Sequence, residues 1–299
     1  MSEGRGAAGE SGQTTIEWTG LVLLVCLLAV GVLAALGARL PATGLARTVA
    51  ARLICAAGLS NACAVEPELV AAYGAELAGQ VARNAPRIVY ERGMTALPVD
   101  FRSCRGGRCG NGPDSGAVWS SDAGEPAAAF VHVVDCRDDQ ALAQTDARRI
   151  DCSGDRAGHL YIQYWLYYED STSLGGLPAA HHEDDWESYQ VRITPVGTDA
   201  RASSHHGYNY GGGAGNWLSD AGVTHRPAWG PATGSTYVSG GSHAGHVQED
   251  DWVPGRWTAP GDLELIPIET LDAEARRTRF AIVPPWRKPV YRDPEDEGT

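Results

Sequence analysis

The sequence predicts a mainly β protein: an antiparallel β-sandwich with long loops, preceded by a single N-terminal transmembrane helix and a short helical stalk. Three observations carry this. After Pro86, short runs rich in Val, Ile, Tyr and Trp are separated by Gly, Ser, Asp and Pro, the texture of strands and turns. Residues 18–38 contain no charge and are mostly Leu, Val, Ala and Gly, and about 20 such residues cross a bilayer. Between the two lies an Ala-rich stretch in which Leu69, Tyr73, Leu77 and Val81 recur every four residues, one apolar stripe of a helix.

Residues 1–17 form a leader. It carries Glu3, Glu10 and Glu17 against Arg5, whereas a cleaved secretory signal begins with a basic region. Arg39, Arg47 and Arg52 follow the apolar run, so charge counting alone leaves its orientation open. The stretch GQTTIEW places Glu17 five residues after Gly12, at the mouth of the apolar helix. This resembles the processing site of class III, Flp-type pilins and pseudopilins. The resemblance implies cleavage after Gly12, contact of Glu17 with neighbouring pilin-like subunits, a cytoplasmic N-terminus and a body outside. A carboxylate at membrane depth is costly unless paired, which gives that contact a physical reason.

LPATG at 40–44 matches a sortase sorting motif but follows the apolar run instead of preceding it, so it is discounted. Residues 39–84 read as a helical stalk, or as a helix packed on the domain, with Pro67 at a first helical position and Gly74 and Gly79 weakening it. The extracytoplasmic domain spans 85–299. Its candidate strands are 87–90, 130–134, 160–168, 187–193, 235–239, 263–267 and 280–283, with one short helix near 271–277.

Seven cysteines are present, with Cys26 inside the apolar run. The simplest pairing of the other six is local: Cys55–Cys63, Cys104–Cys109 and Cys136–Cys152. Bridges of this kind belong to an oxidising compartment. The alternative is free thiols or a zinc site, which usually brings CxxC knuckles, and the sequence has none. The formal net charge is −13 and Lys288 is the only lysine, which argues against an electrostatic grip on nucleic acid or anionic lipid.

HHEDDWE at 181–187 is the densest cluster of chemistry-bearing residues. Strand alternation puts Ile162, Tyr164, Leu166 and Tyr168 on one face, with Asp170 next on that face. In the following strand Tyr189, Val191 and Ile193 share a face that leads back to Glu187 and Asp185, while Trp186, Ser188, Gln190 and Arg192 take the other. If the two strands pair antiparallel, Asp170, Asp185 and Glu187 meet at the rim of the core. Two readings stand. Either a divalent cation, Ca²⁺ or Mg²⁺, neutralises them with a histidine, or arginines and water do. GGSHA at 240–244 falls one glycine short of a nucleophile elbow and lacks its strand–turn–helix setting.

The order APRIVYERGMTALPVDF, YIQYWLYYED, HHEDDWESYQVRI, YVSGGSHA and PPWRKPVYRDPE, over 85–292, resembles the vacuolar protein sorting-associated protein 62 family. More distantly it is similar to the necrosis- and ethylene-inducing peptide-like proteins. That second resemblance implies a β-sandwich and a divalent cation used to bind sphingolipid sugar headgroups. By position it assigns the metal to His182, Asp185 and Glu187, with Asp170 as the upstream aspartate and His181, Asp184 and His243 as possible supporting residues. Glu183 and Asp184 stand where those proteins have Arg-His, so this site is more acidic.

These readings lead to a membrane-anchored, extracytoplasmic, single-pass binding module that uses a cation to hold a glycan or lipid headgroup, with Tyr210, Trp217 or Trp229 as stacking surfaces. One alternative is a pilin-like structural component. A second is a metal-dependent hydrolase with Asp185 or His243 as general base, for which the sequence offers no leaving-group chemistry.

Overall fold

A computed structural model describes residues 66–90, 96–106, 120–121, 123–137, 150, 152–171, 182–204, 207–209, 229–239, 242–248, 256–258 and 262–296. All belong to the unit Ala64–Thr299. The transmembrane expectation at 18–38, the processing residues Gly12 and Glu17, and Cys26, Cys55 and Cys63 lie outside them. Among the described residues no helix is long and apolar enough to cross a membrane.

Eleven strands are described, in chain order β1 Arg87–Tyr90, β2 Ala128–Asp135, β3 Leu160–Ser171, β4 His182–Thr194, β5 Gly197–Ser204, β6 Gly207–Asn209, β7 Gly230–Pro231, β8 Ser235–Val238, β9 Gly245–His246, β10 Arg256–Trp257 and β11 Glu264–Pro267. They form a large sheet in the order β11-β2-β3-β4-β5-β6, with β7 also on β5, and a small sheet in the order β10-β1-β8-β9. The expected all-antiparallel pairing is corrected: β1 runs parallel to β8 and β11 parallel to β2, so both sheets are mixed. Each parallel pair joins strands far apart in sequence, a connection that alternation within one strand does not reveal.

The two faces of the large sheet bury different things. Ile162, Tyr164, Leu166 and Tyr168 of β3 and Tyr189 and Val191 of β4 enter the main core with Ile88, Tyr90 and Val238 of the small sheet. Alternate residues Trp165, Tyr167 and Trp186 enter a second, aromatic core with Phe101 and Phe130. The long central strands are therefore buried on both faces, which explains why 160–168 reads as a nearly continuous apolar run.

Helix α1, Pro67–Asn84, packs against the same fold. Leu69, Tyr73 and Val81 are buried in the main core and Leu77 is partly buried against it. The predicted stripe is thus a packing face, and this portion of the expected stalk is part of the domain. The backbone at Gly74 takes φ 77° and kinks the helix, a conformation glycine adopts without a Cβ penalty. Two shorter helices follow, α2 Phe101–Cys104 and α3 Ala273–Arg277, the latter at the site predicted near 271–277.

The expected strand at 280–283 is not formed. Phe280 instead turns its ring into the aromatic core, 5.6 Å from Trp186, and the Ala281 N–H serves a buried carboxylate. Cys136 and Cys152 form the predicted disulfide. Cys104 is also disulfide-bonded, and its expected partner Cys109 lies outside the described residues.

Candidate functional site

Strands β3 and β4 pair antiparallel, with Leu166 opposite Glu187, Tyr168 opposite Asp185, Asp170 opposite Glu183 and Ser171 opposite His182. Cross-strand partners share a face, so Asp185 and Glu187 continue the apolar face of Tyr189 and Val191 at its rim. Asp185 is buried and accepts a hydrogen bond from His243 Nδ1 at 2.7 Å. His243 lies between β8 and β9, so this bond joins the small sheet to the large one. Its ring stacks on Tyr168 at 4.0 Å with an interplanar angle of 10°.

Glu187 keeps a partly accessible surface, yet protein atoms crowd its carboxyl. Burial pushes its pKa well above the ordinary range, the negative charge of Asp185 adds to this, and the Ser203 hydroxyl opposes it by donating at 2.5 Å. The Lys288 ammonium also acts on both carboxyls. The phenol oxygens of Tyr90 and Tyr168 are buried with no hydrogen-bond partner among the described residues. The Tyr168 phenol lies near the acid pair: burial first, then the neighbouring Tyr90 phenol and the charges of Glu187 and Asp185, hold it far above its usual pKa.

Two non-glycine residues among those described have a left-handed backbone, Asp184 at φ 60° and His243 at φ 54°. One adjoins the Asp185–His243 contact in sequence and the other makes it. Strain of this kind persists only where surroundings over-determine it, as they do at binding and catalytic sites.

Asp184 faces the other way. Its carboxylate accepts from Arg105 Nε at 2.7 Å and Nη2 at 2.8 Å, from the Tyr167 hydroxyl at 2.7 Å and from the Ala281 N–H at 2.8 Å. Burial raises its pKa, and the donors from Arg105, Ala281 and Tyr167 outweigh that and leave it below the usual carboxylate range. Asp184 is therefore a packing hub of the aromatic side.

The structure thus separates the residues read from the sequence. Asp185, Glu187 and His243 come together. Asp170 and His182 lie farther out along the strand pair, both half-buried, with His182 Nδ1 3.4 Å from the Glu183 carbonyl. His181, Tyr210 and Trp217 lie outside the described residues. Trp229 does not offer a free stacking face: the guanidinium groups of Arg201 and Arg192 lie 4.2 Å and 4.8 Å from its ring centre, and its indole N–H donates to Glu295 at 2.8 Å.

Among the described residues no three His, Cys, Asp or Glu side chains converge to hold a metal ion. Asp185 and Glu187 supply carboxyl oxygens, the donor type a hard cation takes, and the Lys288 ammonium acts on the same two groups. No family model and no curated protein matches this chain. Two solved structures are similar to it, NLPPya, a necrosis- and ethylene-inducing peptide-like protein, in complex with glucosamine and in complex with mannosamine. Each is 18% identical over 73% of this chain and 85% of the other, with a TM-score of 0.35.

Sequence reasoning missed three participants. Ser203 lies in β5, whose sequence GTDARASS lacks large apolar residues and gives no strand signal. Lys288 was visible only as the single lysine. Tyr90 was read as a strand residue, and nothing local announces that its hydroxyl finds no partner. A further buried network also went unread: Tyr73 donates to Glu269, and His132 Nδ1 lies 2.6 Å from the same carboxylate.

Proposed function

We propose that this chain is a membrane-anchored, extracytoplasmic binding module in which Asp185 and Glu187 hold a divalent cation, Ca²⁺ or Mg²⁺, and that the cation receives a glycan or lipid headgroup. The supporting observation is the acid pair itself. Two carboxyls share one rim of the core, one of them oriented by a buried histidine from the opposite sheet. Two carboxylates suffice for a cation that keeps several of its waters, as Mg²⁺ does. Asp170 and His182 are the residues that would add to the set. The anchor rests on the apolar run 18–38, and the Cys136–Cys152 bridge favours an oxidising compartment.

Binding of the purified chain to immobilised glycans and to glycolipid vesicles, with calcium or with a chelator, tests this. Capture that needs the cation and fails for Glu187→Gln supports it, and equal capture in chelator contradicts it.

A second reading, metal-dependent hydrolysis, draws on the Asp185–His243 couple, which holds an imidazole in one orientation as a general base requires. Turnover of a glycosidic, ester or phosphoester substrate that is abolished by His243→Gln would favour it.

A further inference from the structure

On the aromatic side of the large sheet the C-terminal segment lies across successive strands and is tied to each. The Val290 carbonyl accepts from Gln163 of β3 at 2.8 Å. Glu295 receives Tyr161 of β3 at 2.8 Å and Arg192 of β4 at 3.1 Å. The Pro294 carbonyl accepts from Arg201 of β5 at 2.6 Å. The tie to β2 differs in kind, because it runs through a buried histidine, His132.

His132 sits between two oxygens. Its Nδ1 lies 2.6 Å from Glu269 Oε1 and its Nε2 lies 3.1 Å from the Tyr291 carbonyl. Its ring also lies flat on the Tyr291 ring, with centres 3.7 Å apart and planes at 13°. From α1, the Tyr73 hydroxyl reaches the other Glu269 oxygen and the Val131 carbonyl. Arg276 of α3 acts on Tyr73 while its guanidinium donates to the Ile268 and Leu271 carbonyls. Gln163, opposite His132 on β3, is uncharged. Glu269 is thus the carboxylate that faces the ring.

The protons can be counted. A carbonyl oxygen only accepts, and so does an ionised carboxylate. Burial pushes the Glu269 carboxyl up, but the His132 donor, the His132 charge and the Tyr73 hydroxyl outweigh that and hold it below the ordinary range. Both ring nitrogens must therefore donate, which only the imidazolium does. A neutral ring that keeps its Nδ1 proton for Glu269 turns a bare Nε2 lone pair on the Tyr291 carbonyl. The stacked contact also loses the attraction between a cation and an aromatic face.

We propose that His132 is a proton-operated clasp on the C-terminal segment: charged, it holds the turn Pro289–Tyr291 against β2, and on losing its Nε2 proton it lets that turn go. Histidine in ordinary surroundings changes charge between about pH 5 and about pH 8. The other ties come from an amide, a phenol and guanidinium groups, none of which changes charge in that range. Release is therefore local, and it leaves the turn with the Gln163 bond to Val290. A second histidine stands near the segment, His159, whose Nδ1 lies 3.1 Å from the Tyr161 hydroxyl that serves Glu295. It touches no atom of the turn among these contacts, so it serves as the control. The clasp does not depend on the cation reading.

Hydrogen exchange of the full-length chain tests the proposal, read over 287–296 and expressed as protection relative to the intrinsic rate at each pH. The reporters are the Tyr291, Arg292 and Asp293 amides, which donate to the Lys288 and Pro289 carbonyls within the turn. Their protection is expected to fall roughly tenfold or more between about pH 5 and about pH 8, while β3 stays protected. His132→Gln should remove that fall and His159→Gln should keep it. Glu269 is one-third exposed, so Glu269→Gln is the second probe if His132→Gln does not fold. Without the carboxylate that favours the imidazolium, its fall should come at lower pH than in the wild type. Unchanged protection in the wild type, a fall that persists in His132→Gln or disappears in His159→Gln, or a Glu269→Gln transition at the wild-type pH overturns the proposal.

Discussion

The His243 imidazole donates to Asp185 at 2.7 Å and lies flat against Tyr168 at 4.0 Å, so one side chain from the small sheet closes on two residues of the large sheet. Removing it leaves a buried carboxylate without its donor and opens space over a buried ring. His243→Ala is expected to destabilise the domain by about 3 kcal/mol. Asp185→Asn keeps a polar partner for the ring and costs less. Urea denaturation of the three proteins measures both.

Arg105 supplies two of the four donors to Asp184, and Asp184 is buried while Arg105 is about one-third exposed. Solvent screening reduces the ion-pair component, but loss of the donors leaves the buried acceptor short. Arg105→Ala should cost about 2 kcal/mol. Arg105→Lys should recover only part of it, because an ammonium cannot reproduce the bidentate fork. Thermal unfolding at fixed pH gives the ranking.

How far these relationships could be read from the sequence differs between the two sides of β4. Period-two alternation was enough to send Asp185 and Glu187 to the Tyr189 face and Trp186 to the other, and the antiparallel β3–β4 register carries this out. Asp184 escaped because its neighbour Arg105 is 79 residues away and its backbone is left-handed. His243 was named as a supporting residue and a candidate base, but its contact with Asp185 follows from the stacking of one sheet on the other, which no local pattern encodes. β5 escaped because Ala200 and Ala202 fill its inward positions, and small side chains give alternation no contrast. The parallel pairs β1–β8 and β11–β2 escaped for the same long-range reason.

Glu66, just before α1, accepts the Leu265 N–H at 3.1 Å, and its pKa is pushed up to about 7, chiefly by burial. A carboxyl raised in the folded state favours folding fully below its unfolded pKa, and that contribution is lost as pH rises through about 7. The unfolding midpoint of the wild type should therefore carry a downward component between about pH 5 and about pH 8 that Glu66→Gln lacks. Paired melting curves across that window check the sign.

The Cys136–Cys152 bridge closes a loop of sequence separation 16. Chain entropy assigns such a loop about 3 kcal/mol. A Cys136→Ser/Cys152→Ser variant should lose close to that amount in urea denaturation, and reductant should have a smaller further effect on it than on the wild type.

The central claim is that Asp185 and Glu187 form a cation site, and direct calorimetric titration of the chelator-stripped chain with Ca²⁺ and with Mg²⁺ tests it most directly. Saturable heat for at least one ion, weakened roughly tenfold or more in Glu187→Gln while the unfolding midpoint holds, is the predicted result. Absence of heat for both ions, or identical titrations for the wild type and Glu187→Gln, would contradict it.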